Sequence, residues 1–296
     1  MIKITMLGTS GSTPTKERGL PAAAITYNGK VYLFDCGEGT QMKMLAHGVN
    51  ISRVEAIFIS HVHGDHIIGL AGLVRTMALN NRQKTLTIYV PKGEEKTIKN
   101  LIVFDRAIID YPVEVKGTAT GIIYRSEGFE VSAFRLNHQI TTYGYLFKEK
   151  DRKKFIADKC RSLGIKGKMF REITQRGSIT VGKKRISISS VTLPQKGKSV
   201  LYVTDTRPCA STEKAAKGAD LLIHEAAYSD AQKALAVMRK HCTAGEAARL
   251  AKKAKVKMLL LTHISARYKD TDLLLSDATK IFKNTVVAKD GYTVEV

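Results

Sequence analysis

The sequence lacks the features that mark a membrane or secreted protein. No apolar run approaches the roughly 20 residues that a membrane helix needs. The first residues, Met1–Leu7, are too short and too alternating for a signal peptide and instead predict a strand. The chain has no Cys-x-x-Cys pair, which argues against a zinc knuckle and a disulfide framework; its four cysteines are Cys36, Cys160, Cys209 and Cys242. We therefore expect a protein of the reducing cytoplasm, with no membrane partner.

Acidic residues are also scarce. The 48 lysines and arginines outnumber 27 aspartates and glutamates, which gives a formal net charge of +21. Such a field attracts polyanions, so nucleic acid is the expected partner; a generally basic proteome or simple solubility is the plainer alternative. A hydrophobic content of 44% fits a sizeable core, and no Pro- or Ser-rich linker divides the chain. We predict one α/β domain over residues 1–296.

A dense group of metal-binding residue types follows the apolar run 56–59, which predicts a buried strand. His61, His63, Asp65 and His66 fall within six positions. Side chains two apart on an extended backbone share a face, so His61 and His63 can hold one ion together. The turn that follows re-aims Asp65 and His66 toward a second ion. A single histidine is usually structural, but three histidines and an aspartate at this spacing indicate metal.

Three further residues of this kind stand where a predicted strand ends: His138, Asp205 and His263. Strand ends from distant parts of a chain converge on one edge of a sheet. Five histidines and two aspartates suit two divalent ions, and imidazole without thiolate favours zinc over magnesium, with manganese or iron as alternatives. The predicted ligands of the two Zn²⁺ are His61, His63 and His138 for one, His66, His263 and Asp65 for the other, and Asp205 as the bridge.

Several local patterns predict secondary structure. A hairpin is expected at 28–29, because Asn-Gly suits a two-residue turn. A helix over 94–108 and a strand over 186–191 follow from apolar periodicity. A capping box at 243–246 opens a helix, and Asp-Gly at 290–291 predicts a terminal hairpin.

The segment 148–185 differs from the rest of the chain. It holds fourteen basic and four acidic residues, glycine breaks and no long apolar period, so we predict that it protrudes rather than packs a core, as an arm that grips nucleic acid. A solvated charged excursion is the alternative. The predicted substrate contacts are Lys153, Lys154, Lys166 and Lys168 in the arm, with Lys16 and Arg18 in the turn-rich loop that follows the first strand.

The ligand pattern resembles the metallo-β-lactamase superfamily and, more narrowly, the ribonuclease Z family, whose members remove 3′ trailers from tRNA precursors. The narrower resemblance spans almost the whole chain and keeps the order of the family's motifs. The matching segments are Pro14–Arg18, Phe34–Gln41, the His61–His66 cluster, Asp205–Pro208, His224–Ala226 and Leu261–Ser265 before Arg267-Tyr268.

The resemblance implies an α/β fold of the metallo-β-lactamase αββα type, in which two mixed sheets pack face to face with helices outside. It also implies precursor tRNA as substrate, a homodimer, and a tRNA-gripping arm at the basic segment. In this scheme Asp65 orients the attacking water and accepts its proton.

His241 is the predicted general acid. It precedes the capping box, at a helix N-terminus that favours an approaching phosphate. We predict that it protonates the departing 3′-oxygen of the tRNA while Glu225 holds its ring. A surface histidine in the basic run Arg239–His241 is the alternative, and His224 is expected to be structural.

Other functions remain open from sequence. The same fold serves hydrolases of small phosphodiesters and of other esters, because fold does not fix function. A nucleic-acid-binding module without catalysis would be expected to have lost some of the ligands. A di-iron redox site would need more carboxylate ligands than this chain offers.

Overall fold

The computed structural model describes residues 1–103 and 109–296. They divide into two compact units, one formed by Met1–Lys148 with Ser199–Val296 and the other by Glu149–Lys198. The strands are β1 (Ile2–Gly8), β2 (Ser10–Gly11), β3 (Ala22–Tyr27), β4 (Lys30–Phe34), β5 (Val54–Phe58), β6 (Leu86–Pro91), β7 (Val113–Thr118), β8 (Gly121–Arg125), β9 (Phe129–Arg135), β10 (Tyr143–Glu149), β11 (Arg152–Phe155), β12 (Ser178–Val181), β13 (Lys184–Ser187), β14 (Thr192–Gln195), β15 (Ser199–Val203), β16 (Leu221–Glu225), β17 (Met258–Thr262), β18 (Ile264–Ser265), β19 (Thr285–Val287) and β20 (Thr293–Glu295).

The helices of the same described residues are α1 (Thr40–Ala46), α2 (Gly64–Ile67), α3 (Gly69–Leu79), α4 (Glu95–Ile102), α5 (Ala157–Ser162), α6 (Met169–Arg176), α7 (Ala210–Ala216), α8 (Lys233–Arg239), α9 (Ala244–Ala254) and α10 (Asp272–Thr279). Short 3₁₀ turns cover Ile51–Arg53, Ile188–Ser190 and Asp230–Gln232. Within the described ranges, every helix is too short or too polar to cross a bilayer.

Two seven-stranded mixed sheets form the larger unit. The first runs β20-β1-β3-β4-β5-β6-β7 and the second runs β19-β17-β16-β15-β10-β9-β8. Strands β4 to β7 are parallel to one another, as are β15, β16, β17 and β19, while β1–β3–β4 and β10–β15 are antiparallel. The parallel runs matter for function because their carboxyl ends lie at a common edge.

Side-chain alternation along the strands builds the layers. Phe34 and Phe58 of the first sheet pack between the sheets with Phe147 and Tyr202 of the second. The opposite face of the first sheet packs on α1, α3 and α4, and that of the second on α7, α9 and α10. Successive strand residues face opposite sides, so in β5 the apolar residues Ala56, Ile57 and Phe58 serve both layers: Ala56 and Phe58 face the other sheet, and Ile57 faces the helices. The predicted αββα sandwich is therefore confirmed.

Some of the local secondary-structure predictions are confirmed and others are wrong. The hairpin at 28–29 is present, with Tyr27 paired to Lys30. The helix predicted over 94–108 is present as α4, and residues 104–108 lie outside the described residues. The terminal hairpin at 290–291 is wrong. The strands that flank this turn, β19 and β20, belong to different sheets, so the chain crosses the sandwich there.

The smaller unit, residues 149–198, builds a core of its own. Strand β11 pairs with β14 and β12 pairs with β13, while α5 and α6 contribute apolar side chains. The strand predicted over 186–191 is wrong, because β13 ends at Ser187 and a 3₁₀ turn follows. The expectation that this segment packs no core is also wrong; its buried residues are Cys160, Ile165, Ile173, Ile179, Ile186, Ile188 and Val191. Its protrusion as an arm stays a prediction.

Candidate metal centre

The predicted ligands of the larger unit meet where strands of the two sheets end. His61 follows β5 and His138 follows β9, while Asp205 and His263 follow β15 and β17. Asp205 and His263 adopt left-handed backbone conformations, with φ of 43° and 57°. Such conformations cost free energy in non-glycine residues and cluster at functional sites. Here each one turns the chain sharply off its strand.

The first ligand group contains His61, His63, His138 and Asp205. His61 Nε2 lies 2.9 Å from His63 Nδ1 and 3.6 Å from Asp205 Oδ2. His138 Nε2 lies 3.7 Å from the same carboxylate oxygen. Three imidazole nitrogens and one carboxylate oxygen thus lie close together, and they form a set of four ligand atoms of the kind that zinc accepts.

The second group contains Asp65, His66 and His263. His66 Nε2 lies 3.5 Å from Asp65 Oδ2, and His263 Nε2 lies 3.8 Å from that oxygen. The other oxygen of Asp205, Oδ1, lies 3.4 Å from His66 Nε2 and 3.0 Å from His263 Nε2. Asp205 therefore presents one oxygen to each group, as a bridging ligand would.

The two carboxylates remain ionised in this environment. Burial alone would raise the pKa of Asp205, but the surrounding histidines, led by His263, hold it well below its ordinary value. Burial acts on Asp65 in the same way, and the neighbouring His263 and His66 likewise hold its pKa well below the ordinary value. The centre therefore offers fixed negative charge to a cation.

The hydrogen bonds behind the imidazoles test whether a metal fits. His66 donates Nδ1–H to Asp35 Oδ2 at 2.8 Å, and His138 donates Nδ1–H to the Lys240 carbonyl at 3.1 Å. In both rings Nε2 is left with its lone pair. Among the described residues, Nε2 of His66, His138 and His263 is buried without a hydrogen-bond partner. Buried unpaired nitrogens that converge on carboxylates are what a divalent ion would satisfy.

Asp35 is a site residue that the sequence reasoning missed. It is fully buried, has φ of 57°, and accepts hydrogen bonds from Ser60 N at 2.7 Å and Tyr202 Oη at 2.9 Å, besides His66. Ser60 Oγ also donates to Asp35 and is 2.9 Å from His61 Nδ1. Asp35 thus orients ligands of both groups. Its position directly after an apolar strand, like that of His61, was the available signal.

The predicted acid pair is assembled beside these groups. His241 Nδ1 lies 3.1 Å from Glu225 Oε1, and Glu225 is fully buried at the end of β16. Backbone N–H groups of Thr206 and Cys242 also donate to that carboxylate, at 2.6 and 3.1 Å. Burial would lower the pKa of His241, but the charge of Glu225 raises it above its ordinary value.

The loop that carries His241 is fixed from both sides. Lys240 has φ of 61° and ends α8, and the predicted capping box joins Thr243 to Glu246 at the start of α9. Arg207 donates to the His241 carbonyl and to both oxygens of Glu246. A third group of potential ligand atoms joins His241 to Asp205 and His263. Since Glu225 occupies Nδ1 of His241, only the other ring nitrogen remains for chemistry.

The predicted substrate-binding residues have different surroundings. Lys16 is exposed, whereas Arg18 is half-buried and donates from Nη1 to Thr9 Oγ1 at 2.7 Å and to the Ala288 carbonyl at 2.6 Å. Arg18 thus supports its own loop. The four lysines of the smaller unit that were predicted to contact the substrate, Lys153, Lys154, Lys166 and Lys168, are all exposed.

Comparison with known proteins gives matches over the whole chain. The family profile described as Anti-Pycsar protein Apyc1 matches residues 2–174, and that of the beta-lactamase superfamily domain matches residues 162–264. Ribonuclease Z of Archaeoglobus fulgidus is 40% identical over 100% of this chain and 98% of the relative. Ribonuclease Z of Methanothermobacter thermautotrophicus is 38% identical over 100% and 97%.

Solved structures also match this chain over nearly its whole length. Human tRNase Z, short form, is 26% identical, with a TM-score of 0.69 over 99% of this chain and 98% of the other. The metallo-beta-lactamase fold protein YhfI from Bacillus subtilis, at 20% identity, has a TM-score of 0.72 over 100% and 99%, which bears on the fold alone.

Proposed function

The chain belongs to the ribonuclease Z family of the metallo-β-lactamase fold, and on that premise we propose that it is the endonuclease that removes the 3′ trailer from precursor tRNA. The observation that carries the proposal is the pair of facing ligand groups with one oxygen of Asp205 in each. The substrate comes from the relatives, which are ribonucleases Z over their full length.

Two zinc ions per subunit are proposed, with manganese or iron as alternatives. His61, His63 and His138 would hold one, His66, His263 and Asp65 the other, and Asp205 both. Divalent cations of this kind, when bound, polarise a phosphodiester and lower the pKa of water. The ligand geometry is prepared by Asp35 and the Lys240 carbonyl, which fix the imidazole rings.

The protein's own groups then divide the proton transfers. Asp65 is ionised and lies in the second ligand group with its side chain 14% exposed, so it can accept a hydrogen bond from a water and orient it. Its role as acceptor of that water's proton is proposed from the family. His241 supplies a proton to the 3′-oxygen that leaves, and Glu225 keeps the ring charged and oriented. The products are a tRNA with a 3′-hydroxyl and a trailer with a 5′-phosphate.

The smaller unit is proposed to bind the body of the tRNA. Residues 149–198 carry fifteen basic and four acidic side chains. Their positive field is suited to phosphates, whose neutralisation makes binding salt-dependent.

A homodimer is proposed from the family, and the exposed Met42 and Leu45 of α1, at 63% and 65% exposure, offer an apolar surface for it. A cytoplasmic location is proposed as well, in keeping with four free cysteines.

A second candidate is a hydrolase of small phosphodiesters. The same two ligand groups would serve such a substrate, because a fold does not fix its function. The deciding experiment compares cleavage of precursor tRNA with hydrolysis of bis(p-nitrophenyl) phosphate by the zinc-loaded protein. The ribonuclease proposal expects kcat/KM on precursor tRNA to exceed that on the ester by orders of magnitude. Hydrolysis of the ester without cleavage of the RNA would overturn it.

A further inference from the structure

One buried carboxylate ties the loop between Thr9 and Gly19 to the body of the protein. The side chain of Asp290 is 5% exposed. Its Oδ1 accepts from Thr9 Oγ1 at 2.8 Å and its Oδ2 accepts from Gly19 N at 2.6 Å, so it holds both ends of the loop. Lys43 Nζ, 2.8 Å away, balances its charge. The loop therefore cannot shift without breaking charge-assisted hydrogen bonds.

The same loop contacts the candidate metal centre. Ser12 N–H donates to Asp65 Oδ2 at 2.9 Å, from a residue with φ of 60°. Strand β2 pairs with β18, which begins directly after His263. A side chain at Gly11 would place its Cβ 2.6 Å from the His263 ring, so the backbone packs on this ligand.

The outer part of the loop is exposed. Thr15 N bonds to the Arg18 carbonyl at 2.8 Å, and this turn leaves Lys16 in solvent. Arg18 donates hydrogen bonds to Thr9 and Ala288 within the protein. Lys16 is therefore the cation of this turn that can contact an RNA phosphate.

We propose that Asp290 is a positioning residue for catalysis. By fixing Thr9 and Gly19, it sets the Ser12 amide that orients Asp65, and it sets the turn that presents Lys16 to the substrate. The inference rests on the proposed function for the role of Lys16, whereas the effect on Asp65 applies to any phosphodiester.

The test compares Asp290→Asn with a matched control, Asp220→Asn. Asp220 is also a buried carboxylate, and it accepts from a backbone amide, Ser199 N at 2.9 Å, and from Lys257 Nζ at 2.7 Å. It directly precedes β16, at the opposite end from Glu225. Both variants are measured for Tm, zinc content, and kcat and KM on precursor tRNA and bis(p-nitrophenyl) phosphate.

Asp290→Asn is expected to lower kcat about 3–10-fold on both substrates, the effect of one misplaced hydrogen bond. It should also raise KM for the RNA alone, with zinc content unchanged. Asp220→Asn should lower Tm and keep wild-type kinetics. If Asp290→Asn shifts Tm but leaves both kinetic constants at wild-type values, the proposal is overturned. If the wild type hydrolyses the ester but not the RNA, the proposed function fails, and kcat on the ester alone still decides the role of Asp290.

Should Asp290→Asn not fold, Thr9→Val replaces it. This substitution keeps the shape of the side chain and removes one donor to Asp290. A smaller fall of kcat in the same direction supports the proposal, and wild-type kinetics overturn it.

Discussion

The edge of the larger unit that carries the candidate metal centre and the basic unit of residues 149–198 hold their side chains in opposite ways. At the edge, His61, His66 and Asp205 are buried and each is fixed by neighbouring groups. In the basic unit the four lysines predicted to bind the substrate are exposed, and the buried part is a small apolar core. Chemistry demands geometry held to fractions of an ångström, whereas attraction of a polyanion demands charge.

Because of this difference, mutations in one region should change kcat and mutations in the other should change the affinity for RNA. Changes at the edge should lower kcat on every substrate, because they touch the reacting atoms or their supports. Changes in the basic unit should alter only the binding of RNA. The following predictions test that separation.

The largest effect is expected for His241→Ala. Loss of the general acid should lower kcat on precursor tRNA on the order of 10²–10⁴-fold. Zinc content by atomic absorption should stay normal, because Glu225 rather than a metal occupies Nδ1. A variant that loses zinc would show instead that His241 is a ligand, as its place beside Asp205 and His263 allows.

Removal of the basic unit should act on binding alone. Lys148 pairs with Ser199 across β10 and β15, so a two-residue Asn-Gly turn can replace residues 149–198 without stretching the sheet. We expect tRNA affinity to fall on the order of 10²-fold at physiological salt and the salt dependence of binding to flatten.

Hydrolysis of bis(p-nitrophenyl) phosphate by the same deletion variant is the control, and it should match the wild type. If a filter-binding titration shows wild-type tRNA affinity for this deletion variant, residues 149–198 do not bind the RNA.

Asp35→Asn should weaken metal binding through the rings that it supports. Loss of the carboxylate behind His66 is expected to lower zinc affinity about 10–100-fold. Competition with a chromophoric chelator measures this directly, and excess zinc should restore much of the activity. Wild-type zinc affinity would contradict the assignment of Asp35 as a support of the ligands.

Glu225→Gln should give the smallest effect, a shift in pH dependence. Glu225 raises the pKa of His241, so removal of its charge lowers that pKa. The acid must be protonated to act, and activity is lost as pH rises through its pKa. The alkaline limb of the kcat profile should therefore move to lower pH. If the alkaline limb of the kcat profile does not move, the group that titrates there is not His241 paired with Glu225.

Much of the site could be predicted from sequence because its residues share one simple rule. His61, Asp205 and His263 each follow an apolar strand, and parallel strands end at one edge. Asp35 obeys the same rule after β4 but has no other ligand type beside it in sequence, so it was not predicted as a site residue. Only the left-handed turn at Asp35 brings it against Ser60, 25 residues away.

Features that depend on pairing between distant segments could not be predicted. The Asp290-Gly291 turn has the sequence of a hairpin, but β19 pairs with β17 and β20 pairs with β1. In the basic unit, Ile173 and Val191 belong to one core although no regular period joins them. Local patterns determine the turn and the strand, whereas the partner depends on the whole fold.

We propose that this chain cuts precursor tRNA with a metal centre bridged by Asp205. The most direct test is to map the product ends from a precursor tRNA after treatment with the zinc-loaded protein and with Asp205→Ala. We predict one cut at the 3′ side of the tRNA body, a 3′-hydroxyl on the tRNA, and no cut by the variant. Cleavage that persists in Asp205→Ala, or that leaves a 3′-phosphate, would rule out this mechanism.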